Sequence, residues 1–139
     1  MAKSKTTKKK KPTLVDHEIE LDVVGLQHRI TTSTRRWLAK SLKENGPIFC
    51  KLVREPENTH DENAIKVVIQ EGNYKDLHLG YIQRAVAAVL ALMMDDSLIT
   101  DVLLAIVSID VDAGTADARL QFTAPSKVKF PNSRKRKTA

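Results

Sequence analysis

REPENTHDENAIKV, residues Arg54 to Val67, sets four carboxylates (Glu55, Glu57, Asp61 and Glu62), two asparagines, a histidine and a proline between two apolar runs. Before it, PIFCKLVRE (47–55) alternates as a strand, with Ile48, Cys50 and Leu52 on one face and Phe49, Lys51 and Val53 on the other. Pro56 ends that strand because proline has no N–H to give to a ladder. The β-branched stretch NAIKVVIQ (63–70) predicts a second strand and LHLGYI (77–82) a third, joined through EGNYKD, where Gly72 and Asn73 suit a turn. Three strands in such quick succession imply an antiparallel meander, so the polar stretch is a loop between neighbouring strands.

Working outward, HEIELDVVGL (17–26) alternates and then turns apolar before Gly25, as a strand entering a core does. TTSTRRWLAKSLKENG (31–46) places Trp37, Leu38 and Leu42 at helical spacing. Ser33 or Thr34 is the expected N-cap, Gly46 the stop and Trp37 a packing anchor. QRAVAAVLALMMDD, from Gln83, has no Gly or Pro and reads as a buried core helix of about three turns. TDVLLAIVSIDVD (100–112) and ADARLQFTA (116–124) predict two final strands around a turn at Ala113 and Gly114. Six strands, one buried helix and a short additional helix, without repeats, predict a small α+β or β-barrel domain. A parallel doubly wound sheet would need alternating helices that the pattern lacks.

The 139 residues suit one domain with appended ends. Twelve of the 23 Lys and Arg lie in residues 1–12 and 127–139, where no acid occurs, leaving 11 against all 17 acids in residues 13–126, a net of −6. The expected organisation is a disordered basic arm over 1–13, a domain over 14–126 and a disordered basic tail over 127–139. Lys8, Lys9, Lys10 and Lys11 in the arm, and Arg134, Lys135 and Arg136 in the tail, are candidates for non-specific phosphate contacts, which supply salt-dependent affinity without sequence preference. The same runs would pass for nuclear import signals in a eukaryote or nucleoid-binding arms in a prokaryote's cytoplasm. An intracellular, reducing location is expected: Cys50 is the lone cysteine and no apolar segment follows the basic start. No membrane span is expected either, since the apolar run Ala85 to Met94 falls short of about 18 residues.

Phosphate-binding glycine loops, HExxH and the nucleophile elbow do not occur, and no enzyme activity, cofactor or metal is expected. His17, His28, His60 and His78 are scattered singly, without ligand spacing. Metal-dependent nuclease activity on the carboxylates of the 54–67 loop stays open as an alternative. So does a protein-interaction adaptor whose groove binds a peptide. Within the loop, Asn58 and Asp61 also suit turns in which a side chain accepts from backbone N–H groups two residues on. Arg54 suits pairing with an acid, and Tyr81 suits a half-buried ring with its hydroxyl satisfied at the rim.

Three stretches taken together, VVGLQHR (23–29), CKLVREPENTHDENAIKV (50–67) and LGYIQRAVAAVLALMMD (79–95), resemble the HIRAN domain, over about residues 18–124. The resemblance implies a small barrel similar in outline to an OB fold, and binding of single-stranded DNA with a preference for a free 3′ end. Carried over by position, Asp61 matches the acid that accepts a hydrogen bond from the terminal 3′-hydroxyl, and Asn58 lies beside the terminal nucleotide. His28 and His60 match positions where the family uses tyrosines, Arg29 replaces a further one, and Gln27 falls where the family has an arginine. Tyr81 matches an aromatic position that stacks on a base, and Arg84 a basic residue near the phosphates. The electrostatics agree, because an ionised carboxylate accepts but cannot donate and would repel an internal phosphodiester. Arg29, Arg35, Arg36 and Arg84 are then the core's expected phosphate contacts. The implied function is a non-enzymatic module for single-stranded DNA ends in repair, recombination or replication, working with a helicase, nuclease or other repair protein. RNA is an equally stackable ligand.

Overall fold

A computed structural model describes residues 13–125 and Phe130. Its strands are β1 (Leu14–Val24), β2 (Ile48–Arg54), β3 (Ile65–Ile69), β4 (His78–Ile82), β5 (Thr100–Asp110) and β6 (Thr115–Pro125). Its helices are α1 (Leu26–Arg29), α2 (Thr32–Asn45) and α3 (Arg84–Asp95). The strands close into a barrel in the order β1-β4-β3-β2-β5-β6, every pair antiparallel, so β6 returns to β1 and no sheet edge remains open. The expected α+β, OB-like six-stranded barrel with its β2-β3-β4 meander is thus present.

The interior follows the period-2 rule. In β6, Ala116, Ala118, Leu120, Phe122 and Ala124 point inward while the residues between them do not. They meet Leu21 and Val23 of β1, Leu104 and Ile106 of β5, and the Val86, Leu90 and Met93 face of α3 in one cluster. Gly80 lets β4 approach β1: a Cβ there would overlap the Val24 carbonyl oxygen and lie 3.1 Å from Leu26 Cδ1.

Four details differ from the sequence reading. The first strand stops at Val24, Gly25 turns with φ 82°, and Leu26 enters the core from the single helical turn α1. The N-cap of α2 is Thr31, whose hydroxyl accepts from the Thr34 N–H at 3.2 Å, and not Ser33 or Thr34. Trp37 is 46% exposed, edge-on to Tyr74, while the buried positions of α2 are Arg35 and Leu38. Phe130, assigned to the tail, packs edge-on against Phe122 with ring centroids 5.6 Å apart. The phosphate-contact candidates Lys8, Lys9, Lys10, Lys11, Arg134, Lys135 and Arg136 lie outside the described residues.

Candidate nucleic-acid interface

Four separate elements converge on one cleft of about 490 Å³. His28 and Arg29 reach it from α1; Asn58, His60 and Asp61 from the β2–β3 loop; Tyr81 from β4; and Arg84 from the first position of α3. All seven residues singled out from the sequence therefore line the same hollow, whose floor includes Ala64 and Ile82. Gln27 does not line it; its side chain lies against Gly114 in the β5–β6 turn.

The loop owes its shape to its own polar groups. Asn58 Oδ1 accepts from the His60 and Asp61 N–H groups at 2.8 and 3.1 Å, and Asp61 Oδ1 accepts from the Asn63 N–H at 2.9 Å. At the loop's base, Arg54 donates from Nη1 to the carbonyls of Ala64 and Glu62 at 2.9 and 3.2 Å. Its Nε and Nη2 donate in a fork to Asp95 on α3, both at 2.9 Å. The turn-making role of Asn58 and Asp61 and their place in the cleft are thus compatible. One Asp61 oxygen holds the turn, and the other, Oδ2, lies 3.7 Å from Arg84 Nε inside the cleft.

Glu55, read from the sequence only as one of the loop's carboxylates, supports the cleft residues Tyr81 and Asn58, a role that sequence reasoning missed. Its Oε1 accepts from Tyr81 Oη at 2.9 Å and from Asn58 Nδ2 at 3.0 Å, and Lys66 Nζ lies 3.6 Å from its Oε2. The Asn58 hydrogen bond, then the Tyr81 hydrogen bond and the Lys66 charge, against an opposing effect of burial, hold the Glu55 carboxyl below its ordinary value. Burial first, and then this carboxylate, raise the Tyr81 phenol above its own. The register that sets Tyr81 opposite Lys66 was the signal that would have found Glu55, since it puts an aromatic, a cation and the end of β2 on one face.

His78 steadies the same ring from another side, edge-on at 4.9 Å and 81°. Burial first, then the nearby Arg29 charge, push its imidazole below the usual value, and its Nε2 lies 3.0 Å from the Gly80 carbonyl. A carbonyl only accepts, so Nε2 carries the proton of a neutral ring. Tyr81, which lines the cleft, is thus held by Glu55 at its hydroxyl and by His78 at its ring.

One expected phosphate contact is corrected. Arg35 is 7% exposed, donating to the Val111 and Ile30 carbonyls at 2.8 Å each and to Thr32 Oγ1 at 3.1 Å. It is a structural clasp between α2 and the β5–β6 turn, buried with each of its three nitrogens donating to protein, and not a surface cation placed for a phosphate. Arg29 and Arg84 remain at the cleft, and Arg84 is 78% exposed. Among the described residues, no group of three or more His, Cys, Asp or Glu side chains is arranged to hold a metal ion, and Glu55 and Asp61 are engaged as above.

The arrangement combines an oriented aromatic face, a carboxylate oxygen directed into the hollow and two guanidinium groups at its rim. The sequence pattern of the HIRAN domain matches residues 17–129. The crystal structure of the HIRAN domain of human HLTF is similar with a TM-score of 0.59, over 82% of each chain at 24% identity. The NMR structure of the HLTF HIRAN domain in its DNA-bound conformation is similar with a TM-score of 0.52, over 79% of this chain and 77% of that one at 22% identity. In Arabidopsis thaliana, the putative SWI/SNF-related matrix-associated actin-dependent regulator of chromatin subfamily A member 3-like 1 is 49% identical over 51 residues. That segment is 37% of this chain and 5% of that protein, so this chain spans a small part of the relative's length. With the family pattern extending over residues 17–129 and the barrel shared with those structures, the chain belongs to the HIRAN domain family.

Proposed function

We propose that this chain is a DNA-binding module that takes single-stranded DNA by a free 3′ end, in a repair, recombination or replication setting where a helicase, nuclease or other partner does the processing. The observation that carries the reading is the convergence of Tyr81, Asp61, Arg84 and Arg29 on one cleft. The terminal base stacks on the Tyr81 face, which is indifferent to base identity. The 3′-hydroxyl donates to Asp61 Oδ2, the oxygen not taken by the Asn63 N–H. Arg84 and Arg29 take the next phosphates. A strand continuing past this point would place a phosphodiester beside the Asp61 carboxylate, and that repulsion in a half-covered site selects the end. DNA-bound HLTF HIRAN, which shares the barrel, supports nucleic acid as the ligand class.

Competition between a linear single strand and a covalently closed circle of the same sequence tests the reading. At a salt concentration that weakens non-specific phosphate contacts, the linear strand displaces a labelled linear probe from the full chain and the circle does not. Equal displacement by both contradicts end recognition.

A further inference from the structure

The core carries more acids than bases, yet its cations are not evenly spread. α2 holds Arg35, Arg36, Lys40 and Lys43 against Glu44 alone. With Arg35 buried as a clasp, Arg36, Lys40 and Lys43 follow one another at helical spacing on the exposed side. Lys40 is only loosely paired, 3.9 Å from Glu44, with both side chains largely in water. Beside this stripe stands Trp37, 46% exposed, with its ring edge-on to Tyr74 at 5.0 Å. The two rings frame a slot of about 110 Å³ backed by Ile48 and Ile69, with Glu71 at its edge. Its contact with Tyr74 thus leaves nearly half of a large ring open to solvent beside cations. Aromatic faces interleaved with cations are what a single strand uses for stacking and charge neutralisation.

The slot lies at the other end of the strand pair that carries Tyr81. Tyr74 closes the β3–β4 turn, where the Leu77 N–H donates to its carbonyl at 3.0 Å, and β4 then runs from His78 to Ile82. Tyr81 follows Tyr74 by seven positions, so their Cα atoms are at most about 25 Å apart. That span falls within the roughly 4 to 16 nucleotides that one OB-type barrel accommodates. Chain continuity points the same way, because α1, which brings His28 and Arg29 to the cleft, leads into α2 through Ile30 and Thr31 alone.

We infer that the Trp37–Tyr74 slot and the Arg36–Lys40–Lys43 face of α2 form a second binding platform for the same single strand, holding nucleotides several positions upstream of its 3′ end. This extends the cleft reading and rests on it for the strand's direction. Stacking on Trp37 and contact of Arg36 and Lys40 with phosphates would make affinity grow with strand length.

The test uses the full chain with a trinucleotide and a 15-mer, both with 3′-hydroxyl ends, and three variants: Trp37→Ala, Arg36→Gln/Lys40→Gln, and Asp61→Asn. Trp37→Ala weakens the 15-mer by about fivefold or more and leaves the trinucleotide unchanged. The double variant flattens the slope of log K against log salt for the 15-mer by about 1.4, at about 0.7 for each lost single-strand phosphate contact. Because Trp37 is the chain's only tryptophan, its emission changes on saturation with the 15-mer and not with the trinucleotide. Asp61→Asn, in contrast, alters the response to the 3′ end for both strands. Unchanged 15-mer affinity in the α2 variants, or unchanged tryptophan emission, overturns the second platform and leaves the slot for a protein partner's side chain. Dependence on α2 with no influence of Asp61 overturns the cleft reading while the platform stands.

Discussion

Tyr81 donates its hydroxyl to the Glu55 carboxylate at 2.9 Å, so the aromatic face of the cleft is oriented by a residue just beyond the end of β2. The phenol's polar end is satisfied by protein, leaving the ring for the ligand. Tyr81→Phe keeps the stacking surface and lowers single-strand affinity by no more than about threefold, whereas Tyr81→Ala removes it and costs about 1 to 3 kcal/mol. Anisotropy titrations of the two variants distinguish ring from hydroxyl.

Glu55→Ala leaves the Tyr81 hydroxyl and the Asn58 amide without their shared acceptor in a half-covered site. A loss of about 1 to 3 kcal/mol in folding stability is expected, read from denaturant unfolding at constant m.

Acid destabilises this domain through three groups acting in the same direction. Glu55 and Asp95 are held below their ordinary values of 4.5 and 3.8, chiefly by hydrogen bonds from Asn58 and Arg54 respectively, and His78 below 6.5, chiefly by burial. A depressed folded value means that the unfolded chain binds the proton more readily, so the stabilisation is present above the unfolded value and is lost as pH falls through the folded one. Melting temperature should therefore begin to fall below about pH 6.5, from His78, and fall further below about 4.5. His78→Phe keeps an edge-on ring and removes the upper part of that decline; a decline unchanged in this variant contradicts the assignment.

Arg84 and Arg35 separate ligand charge from structural charge. Arg84→Gln flattens the salt dependence of single-strand binding by about 0.7 for one lost phosphate contact. Arg35→Gln leaves that slope alone and lowers the melting temperature, because the Val111 and Ile30 carbonyls lose their donors. Salt titrations and thermal melts of both variants check the division.

Gly80→Ala drives a Cβ into the Val24 carbonyl oxygen and toward Leu26. The β1–β4 approach and the seat of α1 are disturbed together, so stability falls by about 1 to 3 kcal/mol and ligand affinity falls with it. Thermal melting alongside anisotropy tests the coupling.

The barrel was legible because alternation, β-branched runs and turn residues agreed from β2 through β4, and because Gly114 marked the β5–β6 turn where expected. The cleft was legible only through family likeness, since His28, Asp61 and Tyr81 lie far apart in sequence and no spacing rule unites them. What escaped depended on tertiary context. A single helical turn at Leu26–Arg29 is too short for periodicity to register, so Leu26 read as the end of a strand. Arg35 beside Arg36 looks equally exposed until the β5–β6 turn supplies carbonyls for one of them. Helical spacing with Leu38 and Leu42 makes Trp37 a packing anchor, yet the positions that α2 buries are Arg35 and Leu38, and Trp37 stays half-exposed, edge-on to Tyr74. Phe130 follows a charged stretch and offered no pattern, although its ring packs on Phe122 beside His17.

The most direct test of the central claim compares a short single strand ending in a 3′-hydroxyl with the same strand ending in a 3′-phosphate, against the full chain and its Asp61→Asn variant. The cleft geometry predicts that the hydroxyl end binds about tenfold or more tighter, and that Asp61→Asn, which keeps an oxygen for the Asn63 N–H but removes the charge, largely abolishes the difference. Equal binding of the two ends by the unaltered chain would contradict end selection by Asp61.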